Sequence, residues 1–457
     1  MHTNAWKTLA LAGLLAVGCD GGDEGTDAGP GTDAGPDMVD SGPEEMEDAG
    51  PSGDGNDSFA EATMVELGAP VEGEAIGAPG DSDYFRFDGS TGDWVILATT
   101  TEGDTNMLDT VITLYDEDMT QIAENDDAQP RVDTDSEIII RLPSDGTYYV
   151  EVQEYSAWAG ETPEGEGSFV YDLSVANFDF DAAAVNFDAE DGDDAASAQD
   201  MSLAGDDSTD FALLMGGFED DTDVDVFAFS IGSGRRSIRF VLMPPGAEGY
   251  GSTTTPAAVW ITTGDGSEIV ARIDPSVAPA RSINPPLPEG DYLAWVEAGD
   301  PGSNDFYVLK AFRSAVDNDP ETMETENDDP GTAEALTLEA NPEVTGLRQV
   351  FLLSTLGDGD VDHFQVELMD GEAISVFCGS RTSGSGVVGL TAAVLDETGA
   401  TEIASGTETA MEAVALEEVA TASGATTYLV KLSKGSQDAE VTGDWARCQI
   451  RAAPPAP

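Results

Sequence analysis

Gly80-Asp81-Ser82-Asp83-Tyr84-Phe85-Arg86-Phe87 reads as an acidic loop running into a strand, and the pattern returns twice along the chain. The later copies are Asp223-Val224-Asp225-Val226-Phe227-Ala228-Phe229 and Asp360-Val361-Asp362-His363-Phe364-Gln365-Val366. In each, two aspartates stand one residue apart and apolar residues alternate after them. Period-two alternation puts Phe85 and Phe87, Phe227 and Phe229, and Phe364 and Val366 on one buried face. Arg86, Ala228 and Gln365 then fall on the opposite face. The sequence therefore describes three copies of one β-domain, each with carboxylates at the same place.

Other landmarks recur around these loops. The first copy, 54–178, opens on a leading loop, Asp54-Gly55-Asn56-Asp57. Strands are expected at Trp94 to Ala98, Val111 to Asp116, Glu137 to Leu142, Tyr148 to Val152 and Phe169 to Val175, with a turn at Asn125-Asp126-Asp127. The second copy, 190–313, opens on Glu190-Asp191-Gly192-Asp193, and the third, 325–451, on Thr325-Glu326-Asn327-Asp328. Taking residues 54, 190 and 325 as equivalent, the copies are spaced by 136 and 135 residues. Short alternating strands between Gly, Asp, Asn and Pro clusters predict an all-β chain of three tandem antiparallel β-sandwiches. The stretches 179–189 and 314–324 read as linkers that permit relative motion.

Ahead of the copies, Lys7 followed by Leu9-Ala10-Leu11-Ala12-Gly13-Leu14-Leu15 reads as a signal peptide over 1–18, too short to span a bilayer. Residues 19–53 repeat Asp-Ala-Gly-Pro among further acids, a composition that cannot offset chain entropy and predicts a disordered tether. The whole chain carries 91 acidic against 17 basic residues, a net charge of -74 in 457 residues. Nucleic acid is excluded as a partner, because phosphate binding needs Lys and Arg. Such charge repels itself in the compact state, which cations among the carboxylates relieve, and it also fits a surface adapted to a salty medium. Of three cysteines, Cys19, Cys378 and Cys448, the last two lie in the third copy. They form either a disulfide, as export favours, or two separate buried thiols.

Two resemblances follow from these residues. Ala16-Val17-Gly18-Cys19 resembles the lipobox of bacterial lipoproteins, which implies a lipid on Cys19 and an anchor in the cell envelope, with the outer membrane or cell surface preferred. An ordinary signal cleaved nearby, leaving Cys19 free, is the alternative. The first copy resembles the bacterial pre-peptidase C-terminal domain through Asn56-Asp57, Asp81-Ser82-Asp83-Tyr84-Phe85, Leu114-Tyr115-Asp116, Asn125-Asp126-Asp127 and Gly146-Thr147-Tyr148-Tyr149-Val150. The second and third copies keep fewer of these pieces. The resemblance implies a jelly-roll-like β-sandwich, usually appended to exported hydrolases. It also implies calcium held by the leading and acidic loops: Asp54, Asn56, Asp57, Asp81 and Asp83 in the first copy. Their equivalents are Glu190, Asp193, Asp223 and Asp225, then Glu326, Asn327, Asp328, Asp360 and Asp362. Gly192 and Thr325 depart from the pattern, so the first site is the best candidate. Clustered Asp and Asn oxygens suit calcium on chemical grounds too, although the same acids also build solvated Asx-turns.

Nothing in the sequence assembles a catalyst. Beyond His2 in the signal there is one histidine, His363, which alternation places on the outward face. Aromatic residues are the candidates for binding: Tyr155 and Trp158 in a Gly- and Glu-rich loop, and Tyr149, which alternates out of the core. Trp94 and Trp445 read as core. The expectation is a non-catalytic, membrane-tethered envelope lipoprotein that binds extracellular protein or glycan. A structural spacer and an accessory subunit of a secreted hydrolase are the competing classes.

Overall fold

The computed structural model describes residues 55–101, 108–128, 134–165, 169–188, 194–202, 211–232, 236–252, 254, 256–274, 282–299, 306–314, 319–320, 327–341, 344–409 and 412–454. The signal peptide, Cys19, the tether, Asp54, Glu190, Asp193 and Glu326 lie outside them. No described helix is long and apolar enough to cross a membrane.

In the first repeat the strands are β1 (Thr63–Met64), β2 (Val71–Ala75), β3 (Ser82–Gly89), β4 (Trp94–Thr101), β5 (Thr110–Tyr115), β6 (Gln121–Asn125), β7 (Glu137–Arg141), β8 (Gly146–Glu154) and β9 (Val170–Asn177). One sheet runs β1-β3-β8-β5-β6 and the other β2-β9-β4-β7. Every pairing in them is antiparallel except the short β1, which runs parallel to β3. Phe85 and Phe87 of β3 and Val150 and Val152 of β8 point between the sheets and are buried, as alternation requires.

The same sheet order recurs in both later repeats. In the second, a short parallel strand, Gln199–Asp200, flanks Val224–Ile231, followed across the sheet by Gly290–Glu297, Ala258–Thr263 and Ile269–Ile273. In the third, Glu334–Ala335 flanks Val361–Leu368, followed by Thr426–Ser433, Thr391–Leu395 and Glu402–Thr407. Register aligns the repeats: Thr63 pairs with Phe85, Gln199 with Phe227 and Glu334 with Phe364. In the third repeat Phe364, Val366, Val430 and Leu432 of this sheet share one core with Leu352, Ile374, Val376 and Ile450 of its partner sheet. Cys378 and Cys448 face each other across neighbouring strands and are disulfide-bonded.

The stretches read as linkers are partly sheet. Val185–Phe187 adds a parallel strand to Phe211–Gly216, and Asp319–Pro320 does the same to Arg348–Thr355. The chain divides into two compact units. The first holds the first repeat together with Met243–Thr254, whose Gly249 and Ala247 carbonyls accept from Glu124 N and Gln121 Nε2 at 2.8 and 2.9 Å. That loop covers β6, an edge strand whose backbone groups need partners. The second unit joins the second and third repeats. Its joint is backbone pairing: Arg272 N donates to Gly384 O at 2.9 Å, Asn284 N to Ser383 O at 3.1 Å and Thr442 N to Ile269 O at 2.7 Å. Leu353 and Trp445 of the third repeat belong to the second repeat's core.

Candidate metal centres at the acidic loops

Each acidic loop turns its two aspartates in different directions. The first caps its own loop: Asp81 Oδ2 accepts from Gly77 N at 2.8 Å, Asp223 Oδ2 from Glu219 N at 2.7 Å, and Asp360 Oδ2 from Gly357 N at 3.1 Å. The second starts the strand and points to the neighbouring sheet, where a hydroxyl meets it. Tyr171 donates to Asp83, Tyr307 to Asp225 and Ser354 to Asp362. Asp83, Asp225 and Asp362 are buried in all three repeats. Burial, reinforced by the Asp225 carboxylate, pushes the Tyr307 phenol well above its usual range, so it stays a donor.

Local spacing could not reveal these hydroxyls. Tyr171 lies 88 residues from Asp83 and Tyr307 lies 82 from Asp225. Sequence reading also missed Asp188, buried at the end of the supposed linker. Gly216 makes room for it: a Cβ there would sit 2.8 Å from Asp225 Oδ2, 2.9 Å from Tyr307 Oη and 3.0 Å from Asp188 Cβ.

The leading loops dock beside the acidic loops in the first and third repeats by one shared hydrogen bond. Asn56 O accepts from Tyr84 N at 2.7 Å, and Asn327 O accepts from His363 N at 2.9 Å. In the first repeat Asn56, Asp57, Asp81 and Asp83 are each buried. The Oδ1 atoms of Asn56 and Asp57 have no hydrogen-bond partner among the described residues. In the third repeat Asp328, Asp360 and Asp362 each offer an oxygen, all within 4.8 Å of one another. Among the described residues this is the one carboxylate group so arranged. In the second repeat only Asp223 and Asp225 of the expected set fall within the described residues.

His363 is buried, although it stands on the outward face of its sheet. Its Nδ1 lies 3.2 Å from Asn327 O, and the docked leading loop is what covers it. Burial holds the imidazole below its usual pKa. Trp94 is half-buried rather than core, its ring meeting Phe180 edge-on, whereas Trp445 is buried as expected.

Tyr155 and Trp158 lie on a single helical turn, α1 (Tyr155–Trp158), with ring centroids 5.5 Å apart. Glu154 caps it by accepting from Ser156 N at 3.0 Å. Trp158 hydrogen-bonds the Glu124 carboxyl, which burial holds above its usual range. Both rings are half-buried. Tyr149 is half-buried on the outer face of its sheet, edge-on to Phe59.

Residues 81–154 match the model of the bacterial pre-peptidase C-terminal domain. The chain is also 40% identical over 101 residues to a probable subtilase-type serine protease of Deinococcus radiodurans, over 21% of this chain and 13% of that protease. Among solved structures, tandem CBM51 modules of the family 98 glycoside hydrolase of Streptococcus pneumoniae match with 10% identity and a TM-score of 0.18, over 54% of this chain and 84% of that one. The triple jelly roll of an archaeal virus turret matches with 10% identity and a TM-score of 0.15, over 83% and 84%. At these TM-scores neither likeness bears on fold or ligand.

Proposed function

We infer, from a chain whose residues 81–154 match the model of the bacterial pre-peptidase C-terminal domain, that the protein is a non-catalytic set of binding modules of the cell envelope whose leading loops are ordered by calcium. The observation that carries this reading is the third repeat's Asp328, Asp360 and Asp362, with oxygens within 4.8 Å of one another. Like charges at that spacing repel unless a cation or a proton intervenes. The donor set is wholly hard oxygen, which suits calcium over zinc or copper. In the first repeat the buried Oδ1 atoms of Asn56 and Asp57, without a hydrogen-bond partner among the described residues, are the donors such an ion would satisfy. Calcium bound there would neutralise the carboxylates and tie each leading loop to its strand.

The rest of the reading follows from this arrangement. Modules with ordered loops suit attachment to an extracellular protein or glycan, and a lipid on Cys19 would hold them at the membrane through the acidic tether. Calorimetric titration of the full chain with calcium tests the metal. Saturable heat that is diminished in Asp360→Asn/Asp362→Asn is expected, and an absence of heat would sink the proposal. Retention of the full chain on immobilised glycans and matrix proteins, with and without Tyr155→Ala/Trp158→Ala, tests attachment. The relative's description as a protease favours a second reading, an accessory module for a hydrolase. Co-purification of a hydrolase with the full chain would support it over free-standing attachment.

A further inference from the structure

Three copies of one sheet let the outer faces be compared position by position. In the first repeat Glu151 of β8 is buried between two phenols, accepting from Tyr84 Oη and Tyr115 Oη, each at 2.7 Å. Phe59 lies over them. Its ring centroid is 4.8 Å from that of Tyr84, 5.1 Å from Tyr115 and 5.4 Å from Tyr149. Aligning the repeats on the pairs Phe85–Val150, Phe227–Ala294 and Phe364–Val430 identifies the equivalents. Tyr84, Tyr149 and Glu151 become Val226, Leu293 and Trp295 in the second repeat, and His363, Leu429 and Lys431 in the third. Phe59, four residues before Thr63, becomes Ala195 and Pro330, four before Gln199 and Glu334. The fold therefore does not demand this aromatic face, and two of its three copies lack it.

Phe59 is also two residues from Asp57. The Oδ1 atoms of Asn56 and Asp57 are buried without a hydrogen-bond partner among the described residues. Tyr84 touches both ends of the stretch: its amide donates to Asn56 O at 2.7 Å, and its ring meets Phe59. One short run of chain thus carries orphaned cation donors at one end and the cover of three tyrosines at the other.

We propose that Phe59 is a plug whose seating follows cation occupancy at Asn56 and Asp57. With calcium held, the plug covers the tyrosines. On its loss the run lifts and uncovers a face of three phenols around Glu151, which the other repeats cannot present. The proposal rests on the calcium reading of the first repeat. It is tested on the full chain by nitrating tyrosines with tetranitromethane in calcium or in EGTA, with peptide mass spectrometry to assign each site. Calcium titration calorimetry on wild type and Asn56→Ala/Asp57→Asn runs alongside. Nitration of Tyr115 and Tyr149 is expected to be about fivefold faster in EGTA, as for a locally opened segment. It should be fast in both media in Phe59→Ala. Tyr148, on the same strand but facing the core, should stay unmodified throughout. Calcium heat diminished in the double variant by the first repeat's share, with wild-type nitration unchanged by EGTA, overturns the plug and leaves the calcium reading standing. Heat that the double variant leaves intact, or no heat at all, overturns both for this repeat. Nitration of Tyr148 in EGTA would show general unfolding and also overturns the plug.

Discussion

Gly216 sets the second repeat's acidic site because no side chain fits where it stands. Asp225, Tyr307 and Asp188 all close on the position a Cβ would take. Gly216→Ala is expected to destabilise by about 2 kcal/mol, the usual range for overpacking a filled site, measured by urea denaturation. An unchanged midpoint would mean the three groups can move apart freely. At this scale the sequence disclosed the aspartates but not their partners. Two acids one residue apart, at the head of an alternating strand, are visible in any copy. Tyr171 and Tyr307 are not, because the pairing that brings them there belongs to the other sheet. The burial of His363 was hidden for a related reason. Alternation gives its face correctly, but the leading loop that buries this face arrives from 36 residues earlier.

Among elements, the loop that joins the later repeats hangs on one carboxylate. Glu408 accepts from the amides of Ser380, Arg381 and Thr382 and from the hydroxyls of Ser380 and Thr382. Ser383 and Gly384 of that loop then pair with Asn284 and Arg272. Glu408→Ala should cost roughly 3 kcal/mol by stranding buried donors, and should speed amide exchange at Arg272 and Asn284. Exchange confined to 380–385 would show that the joint does not depend on the loop. The Cys378–Cys448 bridge closes a loop of 70 residues, so the double Cys→Ala variant should lose about 4 kcal/mol in denaturant. Arg348 holds the Glu372 carboxyl below its usual range by hydrogen bonding at 2.6 Å. A depressed folded pKa gives stability that is full above the unfolded value, near 4.5, and is lost as pH falls through the folded one. The difference in urea midpoint between wild type and Arg348→Ala, worth about 1 kcal/mol at pH 7, should therefore vanish in acid. Strand existence was legible at this scale, since β4, β5, β7, β8 and β9 lie where alternation placed them, whereas β6 was not expected and ends at Asn125, inside the expected turn. The linkers were not, because Val185–Phe187 joins a sheet only through a parallel pairing whose partner begins at Phe211.

At the scale of the whole molecule the governing quantity is a net charge of -74. The sequence pattern that recurs at spacings of 136 and 135 residues keeps one sheet order in every copy, with an acidic loop at the head of the same strand. Self-repulsion of this size should make stability rise with ionic strength, whereas isolated surface ion pairs would make it fall. Calcium should exceed that general effect. The most direct measurement is differential scanning calorimetry of the full chain at fixed ionic strength, with calcium, with magnesium and with EGTA. Wild type should melt higher in calcium than in magnesium, with a gain of about 2.7 kcal/mol at a hundredfold excess over the dissociation constant. Asp360→Asn/Asp362→Asn should lose the third repeat's share. Equal melting in calcium, magnesium and EGTA would contradict the account, leaving the acidic loops as solvated turns.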